Sequence, residues 1–203
     1  MRVLFILLLL FLVGFFHSGR AQSSRYFGCA SFQSNAVAMP FSGKAGIIHQ
    51  PFHPGFRLGA GYRLKEKNRH RFNQIVWLGY IRQRLIHHLI PVYTETEWQC
   101  RISGGLYSQA GLSAGYVHVF QTSSNPSWRL GSGGEYQPSG RAGKGRFTGG
   151  LSLGFGYGIA LGKGTLTPSV SYQFWVLAPF VKSYVPVLPN ALLQAGIRFQ
   201  PGI

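Results

Sequence analysis

Residues 147–161 read FTGGLSLGFGYGIAL. One parity carries Phe147, Gly149, Leu151, Leu153, Phe155, Tyr157, Ile159 and Leu161, and the other Thr148, Gly150, Ser152, Gly154, Gly156, Gly158 and Ala160. Strict alternation of this kind has period two and predicts a β-strand. At about 3.3 Å per residue such a strand runs about 50 Å, long for a soluble domain. A soluble sheet shows water a face of Lys, Glu and Thr. Here the small face is Gly, Ser, Thr and Ala, which suits the crowded interior of a narrow barrel, and the large apolar residues point outward. An apolar exterior requires lipid around it, and only a closed barrel lets a sheet stand in lipid without unpaired edges.

Working outward, the same pattern recurs. In 56–64, Phe56, Leu58, Ala60, Tyr62 and Leu64 oppose Arg57, Gly59, Gly61 and Arg63. In 92–102, Val92, Trp98, Cys100 and Ile102 oppose Tyr93, Glu95, Glu97, Gln99 and Arg101. Segments 105–120, 165–176 and 190–199 alternate likewise; 71–83 reads as a strand of ambiguous parity, and 41–50 is the weakest of the set. The expectation is therefore an all-β, eight-stranded antiparallel transmembrane barrel over 41–203. Short turns are expected at 65–70, 103–104 and 162–164. Long connections fall at 121–146, an extracellular loop rich in Ser, Gly and Pro, and at 177–189. An even strand count puts both chain ends on the short-turn, periplasmic side. Outward aromatics then gather in two girdles: Phe56, Phe120, Phe147 and Phe174 at one rim, and Tyr62, Trp98 and Phe199 at the other.

The N-terminus reads as a targeting segment. Arg2 precedes an apolar run, Val3 to Phe16, and Gly19 and Ala21 occupy the positions a signal peptidase reads. This predicts a signal peptide over 1–21, cleaved before Gln22, and an N-terminal segment over 22–40. The apolar run is too short to span a core of roughly 30 Å comfortably as an uncleaved anchor. Export permits a disulfide between Cys29 and Cys100, although two thiols do not make a framework. Both remain open: pairing or two free thiols.

Only 12% of residues are charged, about half the usual quarter, which argues against disorder, coiled coils and an ordinary helical enzyme. Formal net charge is +16, with no aspartate and only Glu66, Glu95, Glu97 and Glu135 as acids. The basic residues are scattered apart from 65–71, so nucleic acid is not the expected partner. Anionic lipid headgroups or a surface polyanion are more accessible to an exported chain.

The sharpest constellation is Glu95, Glu97 and Arg101 on one inward face, with Arg57, Arg63 and Arg198 inward on other strands. Charges in a narrow lumen should pair, giving either an ion-pair plug or a constriction that touches solutes. A hydrolase at the membrane interface would need an activated serine. His87, His88 and His118 lie near the outer rim, but the His-x-Ser-Asn signature of the lipid A deacylases is absent, since Phe32-Gln33 precedes Ser34-Asn35. No metal site is expected: His49 and His53 are four apart in an extended Pro-rich segment. Residues 140–145, GRAGKG, lack the hydroxyl after lysine that a phosphate loop needs.

Residues 172–199, YQFWVLAPFVKSYVPVLPNALLQAGIRF, resemble the ends of small barrel proteins of the Bacteroidota, and the layout over 41–199 resembles the small eight-stranded outer-membrane β-barrels of Gram-negative bacteria. The resemblance implies a monomer in the cell outer membrane, in contact with its lipids, including lipopolysaccharide, and with the barrel assembly machinery. It implies no catalytic residue and no cofactor. The expected role is structural, surface-interacting or that of a very narrow, porin-like pore; the alternatives are a lipid A-type acyl hydrolase and an exported soluble barrel enclosing an apolar ligand.

Overall fold

The computed structural model describes residues 25–37, 53–83, 87–121, 128–130, 133–138, 143–162, 164–179 and 187–202. The strands, in chain order, are β1 (Tyr26–Ala36), β2 (Pro54–Lys67), β3 (His70–Gln83), β4 (His87–Ser103), β5 (Leu106–Gln121), β6 (Trp128–Leu130), β7 (Tyr136–Pro138), β8 (Lys144–Tyr157), β9 (Ile159–Leu161), β10 (Gly164–Ala178) and β11 (Leu188–Pro201). The described residues contain no helix. Eight long strands pair antiparallel in the order β11, β1, β2, β3, β4, β5, β8, β10, and pairing of β10 with β11 closes the ring. β9 continues β8 past a break at Gly158, while β6 and β7 form a separate hairpin inside the connection from β5 to β8.

The first barrel strand departs from the sequence expectation. It is β1, within the segment read as preceding the barrel, and it closes the ring by pairing with β2 on one side and β11 on the other. Its inward residues are large or polar rather than small, Phe27, Cys29, Gln33 and Asn35, so the small-face criterion passed over it. Residues 41–50, the signal segment 1–21, and 122–127, 131–132 and 139–142 of the long connection lie outside the described residues.

Both described ends of the ring, Tyr26 and Pro201, stand at the end that carries the short turns at 68–69 and 104–105 and the facing ends of β9 and β10. Asn68 (φ 54°) and Gly104 (φ 53°) take the left-handed conformation these tight turns need, which Asn and Gly tolerate best. Ala36, Pro54, Gln83, His87, Gln121, Lys144, Ala178 and Leu188, the strand ends that flank the longer connections, lie at the opposite end.

The exterior is the apolar face. Leu151, Leu153 and Phe155 are 59%, 60% and 61% exposed, against an interior of buried Gln, Asn, Glu and Arg. The ambiguous strand β3 resolves as Asn73, Ile75, Trp77, Ile81 and Gln83 inward, with Phe72, Val76 and Leu78 outward. Both of its faces carry large apolar groups, so hydropathy alone could not assign them.

Candidate functional site

The lumen is layered along the barrel axis. At the end bearing the long connections, Ile81, Leu89, Val117, Val119, Trp175, Leu177 and Leu192 pack into an apolar cluster drawn from five strands, with Leu188 against it. Alternation places each of these on the inward parity, so the plug follows from register. Extending the inward row of β5 past Gly115 gives Val117 and Val119, a signal present in the sequence.

Below the plug lies a polar layer centred on Arg57. Its Nε donates to Ser31 Oγ at 2.7 Å, Nη1 to Tyr93 Oη at 2.5 Å and Nη2 to Gln194 Oε1 at 2.6 Å. Gln194 Nε2 donates to Gln173 Oε1 at 2.7 Å, and Gln173 Nε2 donates to Ser113 Oγ at 3.1 Å, which ties β10, β11 and β5 together. Glu95 accepts from Trp77 Nε1 at 2.7 Å and from Ser152 Oγ at 2.5 Å, and stands 3.9 Å from Arg57 Nη1. The guanidinium of Arg57 also lies 3.9 Å above the Trp77 ring. Charge on Arg57 is thus compensated by one carboxylate, an aromatic face and neutral acceptors together.

The next layer holds Glu97, which accepts from Arg198 Nη2 at 2.8 Å and 2.7 Å through its two oxygens and from Asn73 Nδ2 at 2.9 Å. Arg198 also covers the Phe27 ring at 4.6 Å. At the short-turn mouth, Glu66 binds Arg63 at 2.7 Å and Arg71 at 2.6 Å; Arg63 also donates to Gln200, and Arg71 lies 5.0 Å above the Tyr107 ring.

Of the residues singled out in the sequence, the structure brings together Arg57 with Glu95 and Arg198 with Glu97. Arg63 sits apart, paired with Glu66. Arg101 lies on the inward parity, opposite Tyr107, at the exposed end of β4. A bulge between Arg101 and Ser103 ends the regular register there, and the exposed side chain donates to the Gly104 carbonyl at 2.9 Å. Phe56, Phe120 and Phe147 are exposed on the outer surface toward the long connections, and Trp98 and Phe199 toward the short turns; Phe174 and Tyr62 are half-buried on the same respective rims. Cys29 is a buried lumenal thiol and Cys100 a partly exposed one on the outer face; both are free.

The small inward residues do not leave a channel. A Cβ on Gly59 would meet the Trp77 ring, one on Gly61 the Phe27 ring, one on Gly115 the Tyr93 backbone and one on Gly150 Trp175. Glycines on one strand are the recesses that bulky side chains of the next strand fill. The polar layers retain a cavity of about 30 Å³ lined by Cys29, Arg57, Trp77, Glu95 and Arg198, room for a water molecule or two. A second, near Arg63 and Arg71, is about 10 Å³.

On the outer surface, His88 Nδ1 shares a hydrogen bond with Tyr80 Oη at 2.8 Å and His118 Nδ1 with Tyr116 Oη at 3.1 Å, while His118 packs on Phe120 at 4.4 Å. These contacts anchor histidines in an aromatic rim rather than against a serine. His49 lies outside the described residues, and His53 stands just ahead of β2.

No protein-family model and no curated protein matches the chain. Among solved structures it is similar to the Neisserial surface protein A, with a TM-score of 0.51 at 16% identity over 89% of this chain and 99% of that one. The N-terminal β-barrel domain of Pseudomonas aeruginosa OprF follows with a TM-score of 0.43, 10% identity and coverage of 88% and 98%. Ail, the attachment invasion locus protein of Yersinia pestis, solved with the heparin analogue sucrose octasulfate, gives 0.43 and 12% identity over 88% and 100%.

Proposed function

We propose that this closed eight-stranded barrel is an outer-membrane scaffold with a sealed lumen, whose work is done by the surface it presents beyond the membrane. The observation that carries this reading is the filled interior: an apolar seven-residue plug above hydrogen-bonded polar layers, with cavities of about 30 and 10 Å³. Such an interior favours a structural or surface-interacting role over conduction. The apolar exterior supports a membrane location, which the shared fold of outer-membrane barrels also favours, and Gly19 and Ala21 support export through a cleaved signal peptide.

The chemistry of the far end supports a polyanionic partner. In sequence its connections and strand ends hold Lys44, Arg82, Arg84, Arg129, Arg141, Lys144, Arg146 and Lys182 against the single acid Glu135. Lipopolysaccharide phosphates, already adjacent to the outer rim, fit that charge. The test is retention of proteoliposomes bearing the mature chain on lipopolysaccharide-coated beads. Retention that falls with salt and with Arg129→Gln, Arg141→Gln and Lys144→Gln together supports the reading, and retention indifferent to both refutes it.

A further inference from the structure

The short-turn end gathers basic residues that are far apart in sequence. Register pairs Lys65 with Phe72 and Phe72 with Trp98, then Lys67 with His70 and His70 with Cys100. Lys65 therefore shares the outward face with exposed Phe72 and Trp98, and Lys67 lies on the same face one row nearer the turn. His70 stacks on Trp98 at 5.6 Å. The Arg69 carbonyl accepts the Arg101 N–H at 2.8 Å, drawing exposed Arg101 beside the hairpin tip. The Arg25 carbonyl accepts the Arg63 N–H at 2.8 Å, and the Arg25 guanidinium reaches Tyr62 Oη at 3.3 Å. Glu66, the acid at this end, is engaged by Arg63 and Arg71. Among the described residues of the opposite arc, the strand-end positions Leu106, Tyr157, Ile159, Leu161 and Phe199 are uncharged; Lys163, between β9 and β10 in sequence, lies outside the described residues.

We infer that the arc from β1 to β4 binds the headgroup of an anionic phospholipid, its phosphate held by Lys65, Lys67 and Arg69 and its acyl chains lying along Leu64, Phe72 and Trp98. The lysines stand on the lipid-facing surface at the edge of the apolar band. From there the stem stays with apolar neighbours while the ammonium reaches the headgroup level. Each basic residue so placed strengthens attraction to an anionic lipid about fivefold. A free phosphate would meet the charges but not the apolar rows. This inference rests on the membrane-barrel reading and is independent of the polyanion proposed for the other end.

The experiment is quenching of Trp98 fluorescence by brominated phosphatidylglycerol against brominated phosphatidylcholine in vesicles, with W98F subtracted to remove Trp77, Trp128 and Trp175. Wild type should prefer phosphatidylglycerol about fivefold or more. The preference should fall towards unity in K65Q/K67Q/R69Q and in 1 M salt, with K65Q intermediate, and should survive in R82Q at the other end. An equal preference in wild type and K65Q/K67Q/R69Q, or its loss in R82Q, would overturn the site. Abolition by millimolar inorganic phosphate would show a free-anion site and overturn the lipid assignment. A chain that inserts without preference refutes the site alone; one that yields no heat-shifted folded band in vesicles refutes the membrane reading as well.

Discussion

Arg198 Nη2 lies 2.8 Å and 2.7 Å from the two carboxylate oxygens of Glu97, and the pair spans the barrel's diameter. β11 and β4 are four strands apart in either direction around the ring, and the residues are 101 positions apart in the chain. A single ion pair thereby couples the last strand to the middle of the sequence. Removing one partner from such a buried pair leaves a charge that neither water nor the protein solvates well.

Glu97→Gln should therefore destabilise the folded barrel in urea by about 3–5 kcal/mol, less where lumenal water reaches Arg198. Glu135→Gln, in the outer connection, should leave the midpoint unchanged. Adding Arg198→Met to Glu97→Gln should recover much of the loss, because no unpaired charge remains. Equal midpoints for the Glu97 and Glu135 variants would contradict the account.

Gly59→Ala should cost about 1–3 kcal/mol by forcing its new methyl against the Trp77 ring, which occupies the recess. The same substitution should cost markedly less in a Trp77→Ala background. A double-mutant cycle measures this coupling, and strictly additive effects would mean that the glycine serves the backbone instead.

Reconstituted in planar bilayers, the wild-type barrel should show no resolved conductance steps. Trp175→Ala with Leu177→Ala and Leu192→Ala removes three members of the outer plug and should open brief small-conductance events. Frequent steps in the wild type would instead restore the narrow-pore reading.

Excising 125–143 should leave the heat-shifted folded band intact. The described part of that connection is a hairpin, Trp128–Leu130 paired with Tyr136–Pro138, outside the closed sheet. Loss of the folded band would show that the connection supports the barrel.

A thiol-reactive polyethylene glycol maleimide should label Cys100 in the folded protein and Cys29 only after unfolding. The two cysteines face opposite sides of the barrel wall, and Cys29 is 9% exposed. Dual labelling of the folded state, or a disulfide that shifts on reduction, would contradict their placement.

Period-two alternation in 147–161, 56–64, 92–102 and 190–199 determined the barrel, its apolar outer surface and the inward parity of Arg57, Glu95, Glu97 and Arg198. The cause is local: side chains of a strand alternate whatever the strand pairs with. Which inward groups meet is a property of the closed ring. Strand order alone decides that Arg198 opposite β4 takes Glu97, that Arg63 turns to Glu66, and that Trp77 fills the recess over Gly59. β1 escaped the pattern because its inward side chains are those that fill its neighbours' recesses, and β3 because both of its faces are large. Arg101 keeps the inward parity opposite Tyr107 but is exposed because β4 runs past the barrel mouth, and a bulge ends its register one step later. Neither event leaves a trace in residue spacing, since each depends on backbone pairing with a strand elsewhere in the chain.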